Sequence, residues 1–130
     1  MTTTVDTNIL VYASDAGAPE NARATALLEH LAAGPDLVVL LWPTLLGYLR
    51  IVTHPAICGA PLPLEVARAN VEALLALPHL RAAGETAEHW SAFCAVTDAT
   101  PVRGNLVPDA HLVALMRPLG VERAALARRS

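Results

Sequence analysis

Two aspartates stand out as residues that could do chemistry, Asp6 and Asp109. Asp6, in the run Val5-Asp6-Thr7-Asn8-Ile9-Leu10-Val11, stands at the end of a short β-branched stretch, and the apolar residues after it can re-enter a core. A carboxylate among apolar neighbours is costly unless a positive group sits beside it. A strand end followed at once by helix is also where α/β folds place phosphate and metal sites. Aspartate equally suits a helix N-cap, so the segment alone leaves Asp6 as either a cap or a ligand. Asp109 falls in the first turn of a helix predicted over Val107 to Met116, where the helix macrodipole favours its ionised form. Taken alone it reads as a helix-stabilising charge.

Other reactive residue types form no recognisable set. His30, His54, His79, His89 and His111 lack the His-Glu-x-x-His zinc spacing. His54 precedes Pro55 and reads as a helix-end residue, and His111 reads as a packing or hydrogen-bonding residue. Arg50 reads as a phosphate contact, a partner of a site carboxylate or a helix-surface charge. No serine or cysteine sits in a nucleophile-elbow setting, and glycine-rich phosphate loops are absent.

The elements that must position the two aspartates follow from periodicity and punctuation. Val5 and its neighbours predict a first strand. Pro19-Glu20 opens an alanine- and leucine-rich helix with Leu27, Leu28 and Leu31 on its apolar stripe and Gly34 past its end. Leu37 to Leu41 is a continuous apolar run, as expected of a strand covered on both faces. Pro43 starts a helix that His54-Pro55 ends, and Ala56 to Pro63 is a loop. Pro63 to Leu77 is a long helix, and Leu80 marks a weak strand. Thr86 caps a helix with Trp90, Phe93, Cys94 and Thr97 on one face. Helices alternating with buried strands predict an α/β sandwich around a parallel sheet, whose right-handed crossovers gather the strand ends along one edge.

Composition bounds the function. The 130 residues make room for one domain, taken as 1–130, with no repeats and no linker. A net charge of −3 leaves no basic footprint for tight nonspecific nucleic-acid binding. The longest uncharged run, Leu37 to Leu49, is too short to span a bilayer. No basic cluster marks an export signal, so Cys58 and Cys94 are expected as reduced core thiols in a cytoplasmic protein.

Three segments, Val5 to Ala13, Leu49 to Pro55 and Gly104 to Leu112, occur in an order and at separations that resemble the PIN-domain ribonucleases, specifically the VapC toxins of toxin–antitoxin pairs. The most specific piece is Asn105-Leu106-Val107-Pro108-Asp109-Ala110-His111. The resemblance covers residues 1–120 and implies a PIN-like three-layer sandwich, a short parallel sheet flanked by helices. It implies a metal-dependent endoribonuclease, with carboxylates holding Mg²⁺ or Mn²⁺ to activate water against an RNA phosphodiester. Asp6 and Asp109 match the family's first and third acidic positions, as catalytic residues and metal ligands, and Asn8 looks like a residue that orients those ligands. The implied partners are RNA and a VapB-like antitoxin whose C-terminal segment packs over the active-site groove, with a homodimer and no membrane.

Two departures qualify the resemblance. Gly47 stands three residues before Arg50, where the family usually has a glutamate. Residues 121–130, Val121 to Ser130, replace the expected last strand and its acidic motif with an alanine-rich tail of helical propensity. The last strand is therefore expected to be missing or altered. Glu122 is the nearest substitute carboxylate, while Asp15 and Asp98 read as solvated charges. With two of four expected acids in place, the alternative is a catalytically impaired protein of the same fold that binds antitoxin or RNA without cutting.

Overall fold

The computed structural model describes residues 1–125. Four strands and six α-helices alternate along the chain: β1 (Thr2–Val5), α1 (Thr7–Ala13), α2 (Asn21–Ala33), β2 (Leu37–Leu41), α3 (Trp42–Val52), α4 (Leu64–Leu75), β3 (Leu80–Ala83), α5 (His89–Ala99), α6 (Val107–Met116) and β4 (Arg123–Ala125). All strand pairs are parallel, in the order β3-β2-β1-β4. No helix among the described residues is long and apolar enough to cross a membrane.

The continuous apolar run of β2 has a direct cause. Successive side chains of a strand point to opposite faces, and both faces here are covered. Val38 and Leu40 join Val5, Ile9, Leu10, Leu45, Tyr48 and Val52 under α1 to α4. Val39 and Leu41 face the other way, against Leu115, with Leu112 and Met116 of α6 packed around them. The result is the expected three-layer sandwich.

Tyr48 knits one helical layer together. It is buried, and its hydroxyl lies 2.6 Å from Ser14 Oγ and accepts from Asn70 Nδ2 at 3.0 Å, so it joins α1, α3 and α4. Tyr48→Phe keeps the ring and strands both partners. Chemical denaturation should show a loss of about 1–2 kcal/mol; an unchanged midpoint would mean that water replaces the bonds.

Local expectations meet the structure unevenly. α3 begins at Trp42 with Pro43 in its first turn, as read from sequence. The helix expected from Thr86 starts at His89, and Thr86 Oγ1 instead accepts from the Glu88 amide in the preceding turn. Trp90 lies on the surface, stacked on Phe93 with ring centroids 5.9 Å apart.

The tail requires a correction. Val121 to Ala125 was expected to favour helix, yet Arg123–Ala125 pairs with β1, in the register Thr3↔Arg123, Thr4↔Ala124 and Val5↔Ala125. The last strand is present in altered form, three residues long. The open edge of β1 supplies the reason: its unpaired amides and carbonyls gain more from a ladder than alanine loses by leaving a helix. The tail from residue 126 onward lies outside the described residues.

Candidate functional site

A parallel sheet sends the C-terminal ends of all its strands to one edge, and Asp6 follows β1 there. Its backbone is extended and its carbonyl accepts from the Ile9 amide, so it holds the N-cap position of α1. Its side chain makes no capping hydrogen bond. Among the described residues the half-buried carboxylate has neither a hydrogen-bond donor nor an ion-pair partner from the protein. A cap that does not cap leaves its oxygens free for something else.

Asp109 reaches the same edge from another element. The Val121 amide donates to Met116 O just beyond α6, and the Glu122 amide donates to Thr2 O at the opposite edge of the sheet. The C-terminus of α6 therefore lies at the start of β1, and the helix runs back toward the strand ends. From Met116 back to Asp109 is about 10 Å of helix, which carries Asp109 from the start of β1 toward the Asp6 edge. Asp109 is exposed in the first turn, with no hydrogen bond or ion pair among the described residues. Asn8 is half-buried in the first turn of α1.

The absent glutamate has a definite place in this arrangement. A Cβ on Gly47 would lie 3.4 Å from Thr7 Oγ1 and 3.5 Å from Thr7 Cγ2. Thr7 follows Asp6 directly, and its hydroxyl donates to Thr44 O at 3.3 Å, tying α1 to α3. Gly47 thus faces the Asp6 corner and contributes no oxygen to it.

The substitute carboxylates do not fill the gap. Glu122 sits level with Thr2, four residues before Asp6, so about 13 Å of strand separates it from the Asp6 edge. Asp15 Oδ1 accepts from the Gly17 amide in a turn, and Asp98 is exposed in the last turn of α5. Arg50 is exposed on α3 without an ion-pair partner among the described residues. Two carboxylates offer the hard oxygen donors that a Mg²⁺-class ion prefers, and such an ion keeps water in its remaining positions. The donor chemistry of Asp6 and Asp109 fits, with fewer protein oxygens than a four-acid site would give.

Sequence reasoning missed a second group at this edge. Glu85, just past β3, His89 at the start of α5 and His111 on α6 bring one potential ligand atom each to within 4.8 Å of one another. His111 Nε2 lies 2.8 Å from Glu85 Oε1, and the His89 and His111 rings meet edge-on at 5.0 Å. A hydrogen bond at the Glu85 backbone, and after it the bond to His111, holds the Glu85 carboxyl below its ordinary range. No linear motif joins these residues, because β3, α5 and α6 converge only in the fold.

A cavity of about 570 Å³ lies elsewhere. It is an apolar groove among α1, α2, α3 and α4, lined by Leu10, Leu28, Tyr48, Val71 and Leu74, and it includes neither candidate aspartate.

Comparison with known proteins agrees with this architecture. The family model described as PIN domain matches residues 3–126. The chain is 50% identical over 121 residues to Ribonuclease VapC48 of Mycobacterium tuberculosis, covering 93% of this chain and 83% of that protein. It is 36% identical over 110 residues to VapC ribonuclease Mb2897 of Mycobacterium bovis, covering 85% and 75%. Among solved structures, Mycobacterium tuberculosis VapC20, described as a Sarcin-Ricin loop cleaving toxin, shares the fold with a TM-score of 0.68 at 19% identity, over 97% of this chain and 89% of that one.

Proposed function

The chain belongs to the PIN-domain family, with VapC ribonucleases as relatives, and from that premise we propose that it is a metal-dependent endoribonuclease, the toxin of a VapBC-type toxin–antitoxin module. The observation that carries this reading is a pair of uncommitted carboxylates, Asp6 and Asp109, at one sheet edge of a chain half identical to a named ribonuclease. The chain is taken as one domain over 1–130, its tail from 121 divergent in sequence.

In this reading Asp6 and Asp109 hold a Mg²⁺ or Mn²⁺ ion, which when bound supplies an activated water and offsets charge on the scissile phosphate. The protein's own part is positional. β1 and the first turn of α1 fix Asp6, because the Thr7 hydroxyl is committed to α3 and cannot swing away. Asp109 is presented from the first turn of α6, at the positive end of the helix. Asn8, two residues after Asp6 in the first turn of α1, orients the carboxylates. A VapB-like antitoxin covers the active-site groove at the Asp6 edge, the toxin forms a homodimer, and the pair works in the cytoplasm. Exposed Trp42, Leu46 and Trp90 provide apolar surface for such contacts.

Gly47 favours the alternative, a protein of this fold that binds antitoxin or RNA but cuts poorly. Gly47→Glu separates the two. Its Cβ finds ordinary contact distances at Thr7, and the helix gains by losing a glycine. Purified wild-type chain should cleave RNA with Mg²⁺ or Mn²⁺, and Gly47→Glu should change the rate by less than about tenfold if the present donors suffice. A silent wild type that Gly47→Glu awakens would establish the impaired reading instead.

A further inference from the structure

We propose that Glu85, His89 and His111 form a second cation site, one that takes a zinc-class ion and is separate from the Asp6 and Asp109 pair. Two imidazoles and one carboxylate are the donor set of borderline ions such as Zn²⁺ or Co²⁺, whereas Mg²⁺ selects oxygen ligands. Three protein ligands and a water complete a tetrahedral shell.

The geometry is near what such an ion requires. Ligand atoms about 2.1 Å from a tetrahedral centre stand roughly 3.4 Å apart. The three potential ligand atoms already lie within 4.8 Å of one another, and the Glu85–His111 pair is at 2.8 Å. Glu85 is exposed and both histidines are half-buried, so their side chains have room to adjust. His111 and Glu85 already approach at 2.8 Å, and the ion takes the place of the proton between them.

The three residues come from three elements, and the loop that carries Glu85 is held from behind. A Cβ on Gly84 would lie 3.0 Å from Trp42 Cδ1, so the indole packs directly on the backbone before Glu85. An ion here pins the β3–α5 loop to α6, the helix whose first turn holds Asp109. His111 is two residues on from Asp109, roughly 200° around the helix, so the two side chains serve different sites. Zinc binding at this cluster does not depend on the chain being a nuclease.

The test uses the full chain, stripped with a chelator and titrated with Zn²⁺ by calorimetry, with Co²⁺ visible absorption as a second readout. With excess Mg²⁺ present to occupy the Asp6 and Asp109 pair, one equivalent of Zn²⁺ is expected to bind and to raise the melting temperature. Glu85→Gln, His89→Gln and His111→Gln should each weaken binding at least about tenfold and remove the Co²⁺ spectrum. Asp6→Asn and Asp109→Asn should keep both. Absence of saturable uptake by the wild type overturns the proposal, as does uptake unchanged by both histidine substitutions or abolished by Asp6→Asn.

Discussion

Asp6→Asn is expected to fold as stably as the wild type and to lower RNA cleavage at least about a hundredfold, since even residues behind a metal ligand cost 10–100-fold when lost. The two readouts part because the Asp6 carboxylate contributes no hydrogen bond to the protein. Asparagine keeps its shape and is an equally good N-cap residue, so the stability change should stay within about 0.5 kcal/mol. What asparagine lacks is the full negative charge that a hard cation requires. A helix-capping role predicts the reverse pattern: unaltered cleavage by Asp6→Asn, and a loss of about 1 kcal/mol in Asp6→Ala. Denaturation and cleavage assays on the same preparations separate the two roles.

The largest effect on stability is expected at Leu40. It lies toward the C-terminal end of β2, an interior strand, is 1% exposed, and packs in the larger core cluster with Val5, Leu10 and Leu45. Removing its isobutyl group loses apolar burial and leaves a cavity between a central strand and four helices, which cannot all collapse onto it. Leu40→Ala should cost about 2–5 kcal/mol, a large part of the roughly 5–15 kcal/mol that holds a domain of this size. Urea unfolding should show the midpoint falling with its slope unchanged. A loss below about 1 kcal/mol would mean that the sheet repacks around the gap.

β2 and the helices were legible because their signals are local. A run apolar on both faces names a strand between two layers, and prolines and glycines punctuate the helices between them. β3 and β4 were harder to read. Leu80–Ala83 and Arg123–Ala125 carry alanine and arginine, weak strand formers, and are strands because a neighbour offers them a ladder. Pairing partners distant in sequence leave no mark on periodicity.

The candidate site shows the same division. Asp6 and Asp109 were singled out from their strings, and the backbone path of α6 carries Asp109 toward the Asp6 edge. Glu122, close to the expected acid in sequence, lies at the other edge because β4 runs parallel to β1. Glu85, His89 and His111 carried no spacing signal at all, since β3, α5 and α6 converge only in three dimensions.

The central claim is that this chain cuts RNA through Asp6 and Asp109. The direct measurement is cleavage of RNA by the purified wild-type chain with Mg²⁺ or Mn²⁺, beside Asp6→Ala and Asp109→Ala. Cleavage by the wild type that chelation stops, and that both substitutions abolish, is the predicted result. Equal behaviour of all three proteins, cleaving or silent, would contradict it.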